Sequence, residues 1–268
     1  MTDVPSSIWL IGCGNMAGAM LHQWIASGAV DPASVTVIKP SPRGVPAGVR
    51  HLTAPPADGL PGALMLGVKP QKLDEAAGQI APRVKGVPLL LSILAGVEVA
   101  ALATRFDAKT IVRVMPNLPV GLGKGVVALH GTSPDGPEGR KATALMAPLG
   151  LVEWIEREDL FDAVTALSGC GPGFVYRFID ALAAAGTALG LPEDQALRLA
   201  TATVNGAAEL AAQSDVSPAT LADRVASPGG STREGMNVLD RDDALKALMK
   251  ATLTASEKRN GELAAAAR

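Results

Sequence analysis

The chain has 268 residues, with 24 Lys and Arg against 26 Asp and Glu and a formal net charge of −2, which is length enough for one large domain or two modest ones. Balanced charge with no run of Lys or Arg argues against nucleic acid or an anionic membrane as the main partner, and no apolar run reaches the about 18 residues of a membrane span. Cys13 and Cys170, the two cysteines, make neither a disulfide framework nor a metal cluster, and the first residues carry no secretory signal pattern, so a cytoplasmic globular protein without a metal is expected.

Short apolar runs punctuate the first part of the chain: "SIWLIG", "SVTVIK", "GALMLGV", "VPLLLSI", "TIVRVM", "GVVALH" and "LVEWI". Continuous runs of this length suit strands buried on both faces, as in a parallel sheet covered by helices. Between them, "KLDEAAGQIAPRV" and "VEVAALATRF" have apolar residues at helical spacing. Alternating units of this kind predict a doubly wound α/β sheet with right-handed crossovers over residues 1–158.

The first strand runs into "GCGNMAGAM", a G-x-G-x-x-A turn opening a helix. Gly12 allows the tight turn, Gly14 lets a pyrophosphate approach the backbone, and Ala17 keeps helix and strand close. Asn15 and Met16 then form the helix N-terminus, where the dipole favours the anion. An acid about 20 residues further on would suit the ribose hydroxyls of NAD. The second strand instead ends in "VIKPSPRG", where Lys39, Ser41 and Arg43 suit a 2′-phosphate, so NADPH is expected and NADH less favoured. Later strand ends face the same crevice: Val68, Lys69 and Pro70 in "VKPQ", Ala95 and Gly96 in "SILAG", and Asn117 in "RVMPNLP". Asn117 serves either as a polar cofactor contact or as a turn former.

Beyond residue 158 the strand signal ends, and residues 159–268 read as an all-helical domain. "GFVYRFIDALAAAGTALG" forms a long helix that stops near Gly190, and "LPEDQALRLATATVNGAAELAAQ" forms another with Pro192 in its first turn. "SPATLADRV" starts a third with Ser217 as cap and Pro218 at the first helical position. The final segment, from "DDALKALMK" onward, is a last helix. Alanine crowds this half, and small side chains let helices approach closely, so much of its core is expected to come from tight helix packing. Between two helical stretches lies "VASPGGSTREG". By its residues, this turn is either a capped helix start or an anion nest, in which Gly229 and Gly230 bring backbone N–H groups to a ligand and Ser227, Ser231 and Thr232 add hydroxyls.

His22, His51 and His130 are scattered and expected to be surface or structural groups. Cys170 has no partner histidine, so packing or a cofactor-side contact is favoured over a nucleophile. Tyr176 fits a helix face and carries no chemistry.

Taken in order, "GCGNMAGAM", "VKPQ", "SILAGV", "RVMPNLP", "ALSGCGPGFVYRFIDALAAAG" and "VASPGGST" resemble the pyrroline-5-carboxylate reductase family from Ile8 to about Leu263. The resemblance implies reduction of 1-pyrroline-5-carboxylate to proline with NADPH or NADH. It also implies a helical C-terminal dimerisation domain, with the site formed at a homodimer interface and higher oligomers in some members. It assigns Ser227, Gly229, Gly230, Ser231 and Thr232 to the substrate, with the Thr232 hydroxyl at the imine nitrogen. The chain departs from the family at Leu118 (usually Thr), Cys170 (Ser), Gly173 (Ala) and Ala226 (Thr or Ser). An NADP-linked reductase of another cyclic imine and a non-catalytic NADP-binding regulator are the alternatives.

Overall fold

A computed structural model describes residues 4–57 and 59–266. In chain order the first elements are β1 (Ile8–Ile11), α1 (Asn15–Ala26), β2 (Val35–Ile38), β3 (Arg50–Leu52), β4 (Ala63–Leu66) and α2 (Leu73–Ile80). They are followed by β5 (Val87–Ser92), α3 (Val99–Ala103), β6 (Ala108–Pro116), β7 (Gly125–Gly131), α4 (Pro137–Met146) and β8 (Gly150–Trp154). A short α5 (Phe161–Val164) continues into a π-helical turn over Thr165–Gly169. The remainder is helical: α6 (Gly171–Ala188), α7 (Glu193–Gln213), α8 (Pro218–Val225), α9 (Ser231–Asp240) and α10 (Ala244–Ala266).

The strands form one sheet in the order β3-β2-β1-β4-β5-β6-β7-β8. Side chains alternate across it as the pleat requires. Ile8 and Leu10 of β1 join Met20, Leu21 and Trp24 of α1 and Leu145 of α4 on one face. Trp9 and Ile11 join Leu73 and Ile80 of α2 and Leu102 of α3 on the other. Leu64, Met65 and Leu66 of β4 are wholly inaccessible. Each such side chain contributes roughly 1.5–3 kcal/mol of transfer free energy, which explains why central strands here are uninterrupted apolar runs.

The sheet departs from the expected parallel one at one end and carries an unexpected, parallel strand at the other. β7 pairs antiparallel with β6, and β8 then pairs parallel with β7, so the last two strands run against the rest. Only a short connection over Asn117–Lys124 joins β6 to β7, and a link of that length returns the chain antiparallel, whereas a parallel return needs a crossover of a dozen residues or more. β3 is an added edge strand of three residues, Arg50, His51 and Leu52, with a polar composition that gives no strand signal.

The chain packs as two compact units, Met1–Cys170 with Ser256–Arg268, and Gly171–Ala255. Residues 159–170 and the end of α10, grouped with the helices on sequence grounds, thus pack with the sheet. In the second unit, Ser217 caps α8 by accepting the Thr220 N–H at 3.2 Å, as its position before Pro218 predicts. Pro192 is the residue before α7 rather than within its first turn. Small side chains bring α6 and α7 together: a Cβ on Gly186 would stand 3.4 Å from that of Ala196.

Candidate cofactor and substrate sites

The sheet order changes direction beside β1: the chain builds β2 and β3 on one side and β4 onward on the other. Ligands of doubly wound sheets bind at such a switch, outside the strands' carboxyl ends. Gly12 and Gly67 meet there. Gly12 has φ +79°, and a Cβ on it would stand 2.9 Å from both the Gly67 carbonyl oxygen and Val68 Cγ1. Conformation and space therefore both demand glycine. A Cβ on Gly67 would stand 2.9 Å from that of Ala17, so Ala17 is small because Gly67 faces it. No motif marks Gly67 in the sequence, since a glycine at a strand end has many causes.

The N-terminus of α1 has no capping side chain and no acid in its first turn, and the space beside Gly14 is open. Bare N–H groups at Asn15 and Met16, the positive helix end and a close-approach glycine fit a pyrophosphate. The residues present therefore fit a dinucleotide.

At the end of β2, the Lys39 ammonium donates to the Arg43 carbonyl at 2.7 Å and the Cys13 carbonyl at 3.4 Å. His51 Nε2 lies 2.8 Å from the Lys39 carbonyl, and the Arg43 N–H donates to Ser41 Oγ at 3.3 Å. Lys39, Ser41 and Arg43 thus belong to one tied loop, and Lys39 also lines a cavity of ≈ 420 Å³. Its walls include Gly12, Ile38, Thr53, Val68 and Lys72. Thr53 and Lys72 gave no motif in the sequence; the fold brings them here. Burial pushes the Cys13 thiol above its ordinary pKa, and the Lys39 charge partly opposes this.

A second cavity of ≈ 190 Å³ collects Pro70, Ala95, Gly96 and Met115 with Thr165 and Asn260. Lys69 precedes it, exposed, as the residue before the short 3₁₀ turn Pro70–Lys72. Gly96 has a further reason to be glycine, because a Cβ there would lie 2.8 Å from Ala264 Cα on α10. No short motif marks Thr165 or Asn260 in the sequence.

Asn117, by its sequence either a polar contact for the cofactor or a turn former, is buried and has both ends of its amide engaged by protein. Its Oδ1 accepts the Val126 N–H at 2.8 Å, and its Nδ2 donates to the Ser168 carbonyl at 3.0 Å. Buried Arg113 donates to Glu158 at 3.2 Å and lies over the Phe161 ring, 4.5 Å from its centroid. His130 Nδ1 lies 2.8 Å from the Ile155 carbonyl, a structural role like that of His51, and His22 is exposed.

In the second unit, Ser227, Pro228, Gly229 and Gly230 make a tight turn closed by the Gly230 N–H to the Ser227 carbonyl at 2.9 Å. Pro presets the second position, and Gly229 takes φ +70° at the third, as a type II turn requires. α9 begins at Ser231 with no capping side chain, so its first N–H groups face outward beside the exposed Ser231 and Thr232. The Arg233 guanidinium holds the turn from behind, donating to Asp223 at 2.9 Å and to the Ala226 carbonyl at 3.4 Å. Ala226 is itself buried, so the residue that replaces a hydroxyl faces the interior of its unit. The arrangement can hold a small carboxylate and present a hydroxyl beside it.

The family model described as pyrroline-5-carboxylate reductase dimerisation matches residues 158–263, and that described as NADP oxidoreductase, coenzyme F420-dependent, matches residues 7–96. The chain is 36% identical over 267 residues to a pyrroline-5-carboxylate reductase of Synechocystis, covering 95% of this chain and 97% of that one. It is 40% identical over 197 residues to one of Aquifex aeolicus, covering 73% of each. Among solved structures, a pyrroline-5-carboxylate reductase from Coxiella burnetii superposes with a TM-score of 0.85 at 32% identity, covering 96% of this chain and 98% of that one.

Proposed function

The chain belongs to the pyrroline-5-carboxylate reductase family, and from that premise we propose that it reduces 1-pyrroline-5-carboxylate to L-proline, the last step of proline biosynthesis, with NADPH. The observation that carries the reading is the uncapped start of α9 behind the Ser227–Gly230 turn, an anion nest that suits a carboxylate.

Gly12, Gly14, Asn15 and Met16 hold the pyrophosphate, and Lys39, Ser41 and Arg43 hold the 2′-phosphate. Val68, Lys69, Pro70, Ala95 and Gly96 line the remaining wall. When bound, the dinucleotide supplies the hydride. Ser227, Gly229, Gly230 and Ser231 anchor the substrate carboxylate. The Thr232 hydroxyl is too weak an acid to give up its proton at neutral pH, so it orients the imine nitrogen, and substrate that enters as the iminium needs no further acid. Orientation of this kind lowers a barrier by several kcal/mol.

We also propose that residues 1–158 form the cofactor-binding domain and residues 159–268 the substrate-binding and dimerisation domain of a cytoplasmic homodimer. Among the described residues of 171–255, the buried apolar side chains are all alanines: Ala183, Ala196, Ala200 and Ala226. Leu182, Leu189, Leu197, Leu199 and Leu210 are exposed on one chain, and a second subunit that covers such surface supplies the missing core. NADPH oxidation tests the functional reading. Fast turnover of the five-membered imine and slow turnover of its six-membered analogue support it; tight NADPH binding without turnover makes the chain a regulator instead.

A further inference from the structure

The π-helical turn Thr165–Gly169 closes with the Cys170 N–H on the Thr165 carbonyl, five residues back, at 2.8 Å. Ser168 lies inside this turn. In an α-helix its carbonyl would accept from the residue four positions on, but that residue is Pro172, which has no N–H. Ser168 is partly buried, where a carbonyl left without a donor is costly, and the donor comes from elsewhere in the chain: Asn117 Nδ2, at 3.0 Å.

Asn117 is well fixed for this purpose. Its Oδ1 accepts the Val126 N–H at 2.8 Å, its own N–H donates to the Val126 carbonyl at 3.2 Å, and its carbonyl accepts the Val120 N–H at 3.2 Å. It therefore ties the end of β6, the start of β7 and the π turn at one point. The π turn carries Thr165, and β6 carries Met115, two residues before Asn117. Both residues line the ≈ 190 Å³ cavity with Pro70, Ala95 and Gly96.

We infer that Asn117 is a positioning residue for the reduction. By supplying the donor that Pro172 withholds from Ser168, it sets the π turn that forms the Thr165 wall of the cavity, and it does so without touching the cofactor. This inference rests on the proposed function, in which Pro70, Ala95 and Gly96 of that cavity line the cofactor site. It also accounts for an asparagine rather than an aspartate at this point, since one end of the side chain must accept and the other must donate.

The test compares wild type, Asn117→Ala and the double variant Asn117→Ala/Pro172→Ala, measuring kcat, KM for 1-pyrroline-5-carboxylate and Kd for NADPH by fluorescence titration. Misplacement of about 1 Å costs on the order of 100-fold in rate, so Asn117→Ala is expected to lose roughly 10- to 100-fold in kcat with NADPH affinity nearly unchanged. The double variant restores an N–H at position 172 that serves the Ser168 carbonyl from within the helix, and it is expected to recover most of that loss. A variant that melts earlier but keeps wild-type kcat overturns the inference, as does a parallel loss of NADPH affinity, which would make Asn117 a direct contact. A double variant as slow as the single one also overturns it. If Asn117→Ala does not fold, Asn117→Asp, which keeps the acceptor for Val126, takes its place; if neither folds, the residue is structural and the inference falls. Absence of turnover in the wild type is a separate result that refutes the functional reading, and the inference with it.

Discussion

Ala17 and Gly67 touch across the first strand–helix–strand unit: a Cβ on Gly67 would come within 2.9 Å of the Ala17 Cβ and 3.2 Å of the Gly12 carbonyl oxygen. One pair thus fixes both the distance of α1 from the sheet and the shape of the glycine turn. Gly67→Ala is expected to cost about 1–3 kcal/mol by overpacking and to weaken NADPH binding, because any outward shift of α1 moves the anion site. Urea unfolding and an NADPH titration read the two effects.

Lys39 and Arg43 are predicted to select the phosphorylated cofactor. Lys39→Ala and Arg43→Ala should each raise KM for NADPH several-fold and leave KM for NADH nearly unchanged. Lys39→Ala should have the broader effect, since its ammonium also bridges the Cys13 and Arg43 carbonyls. Equal changes for the two cofactors would remove this loop from cofactor selection.

Thr232→Ala should lower kcat by about 10- to 100-fold, in the range expected for loss of an orienting group, while leaving the melting temperature close to wild type. Thr232 is exposed at the start of α9, and no capping bond depends on its side chain. Unchanged kcat/KM in a stable variant would deny it a part in the reaction.

Ser217→Ala supplies the contrasting control. It deletes the cap that accepts the Thr220 N–H at 3.2 Å, which costs about 1 kcal/mol. Loss of stability with kcat and both KM values intact is the expected outcome.

Cys13 links stability to pH. Its thiol has a raised pKa, from burial first, with Lys39 opposing. Above the ordinary thiol range the unfolded chain ionises while the folded thiol stays protonated, so the folded state binds more protons and stability falls as pH rises. This contribution is complete at neutral pH and is lost once pH passes the raised value. Cys13→Ala should flatten the alkaline decline in a pH series of unfolding curves, and no difference from wild type would exclude Cys13 as its cause.

Much of the fold was legible because β1, β2, β4 and β5 are buried on both faces and so appear as bare apolar runs. The glycine turn was legible because its spacing carries a mechanism. Three features were hidden for physical reasons. β3 is a three-residue edge strand in which Arg50 is exposed and His51 and Leu52 are only partly buried. The reversal at β7 is decided by a short connection, not by a strand pattern. Asn117 could be read only as a contact or a turn former, because its partner Ser168 lies 51 residues away. The Ser227–Gly230 turn was legible as either a cap or a nest. The absence of any capping side chain at α9 favours the nest.

The stoichiometry of one reaction tests the proposed activity most directly. Purified protein incubated with 1-pyrroline-5-carboxylate and limiting NADPH is predicted to form one L-proline for each NADPH consumed, with a higher kcat/KM than with NADH. NADPH consumed without proline, or proline formed faster with NADH than with NADPH, would contradict it.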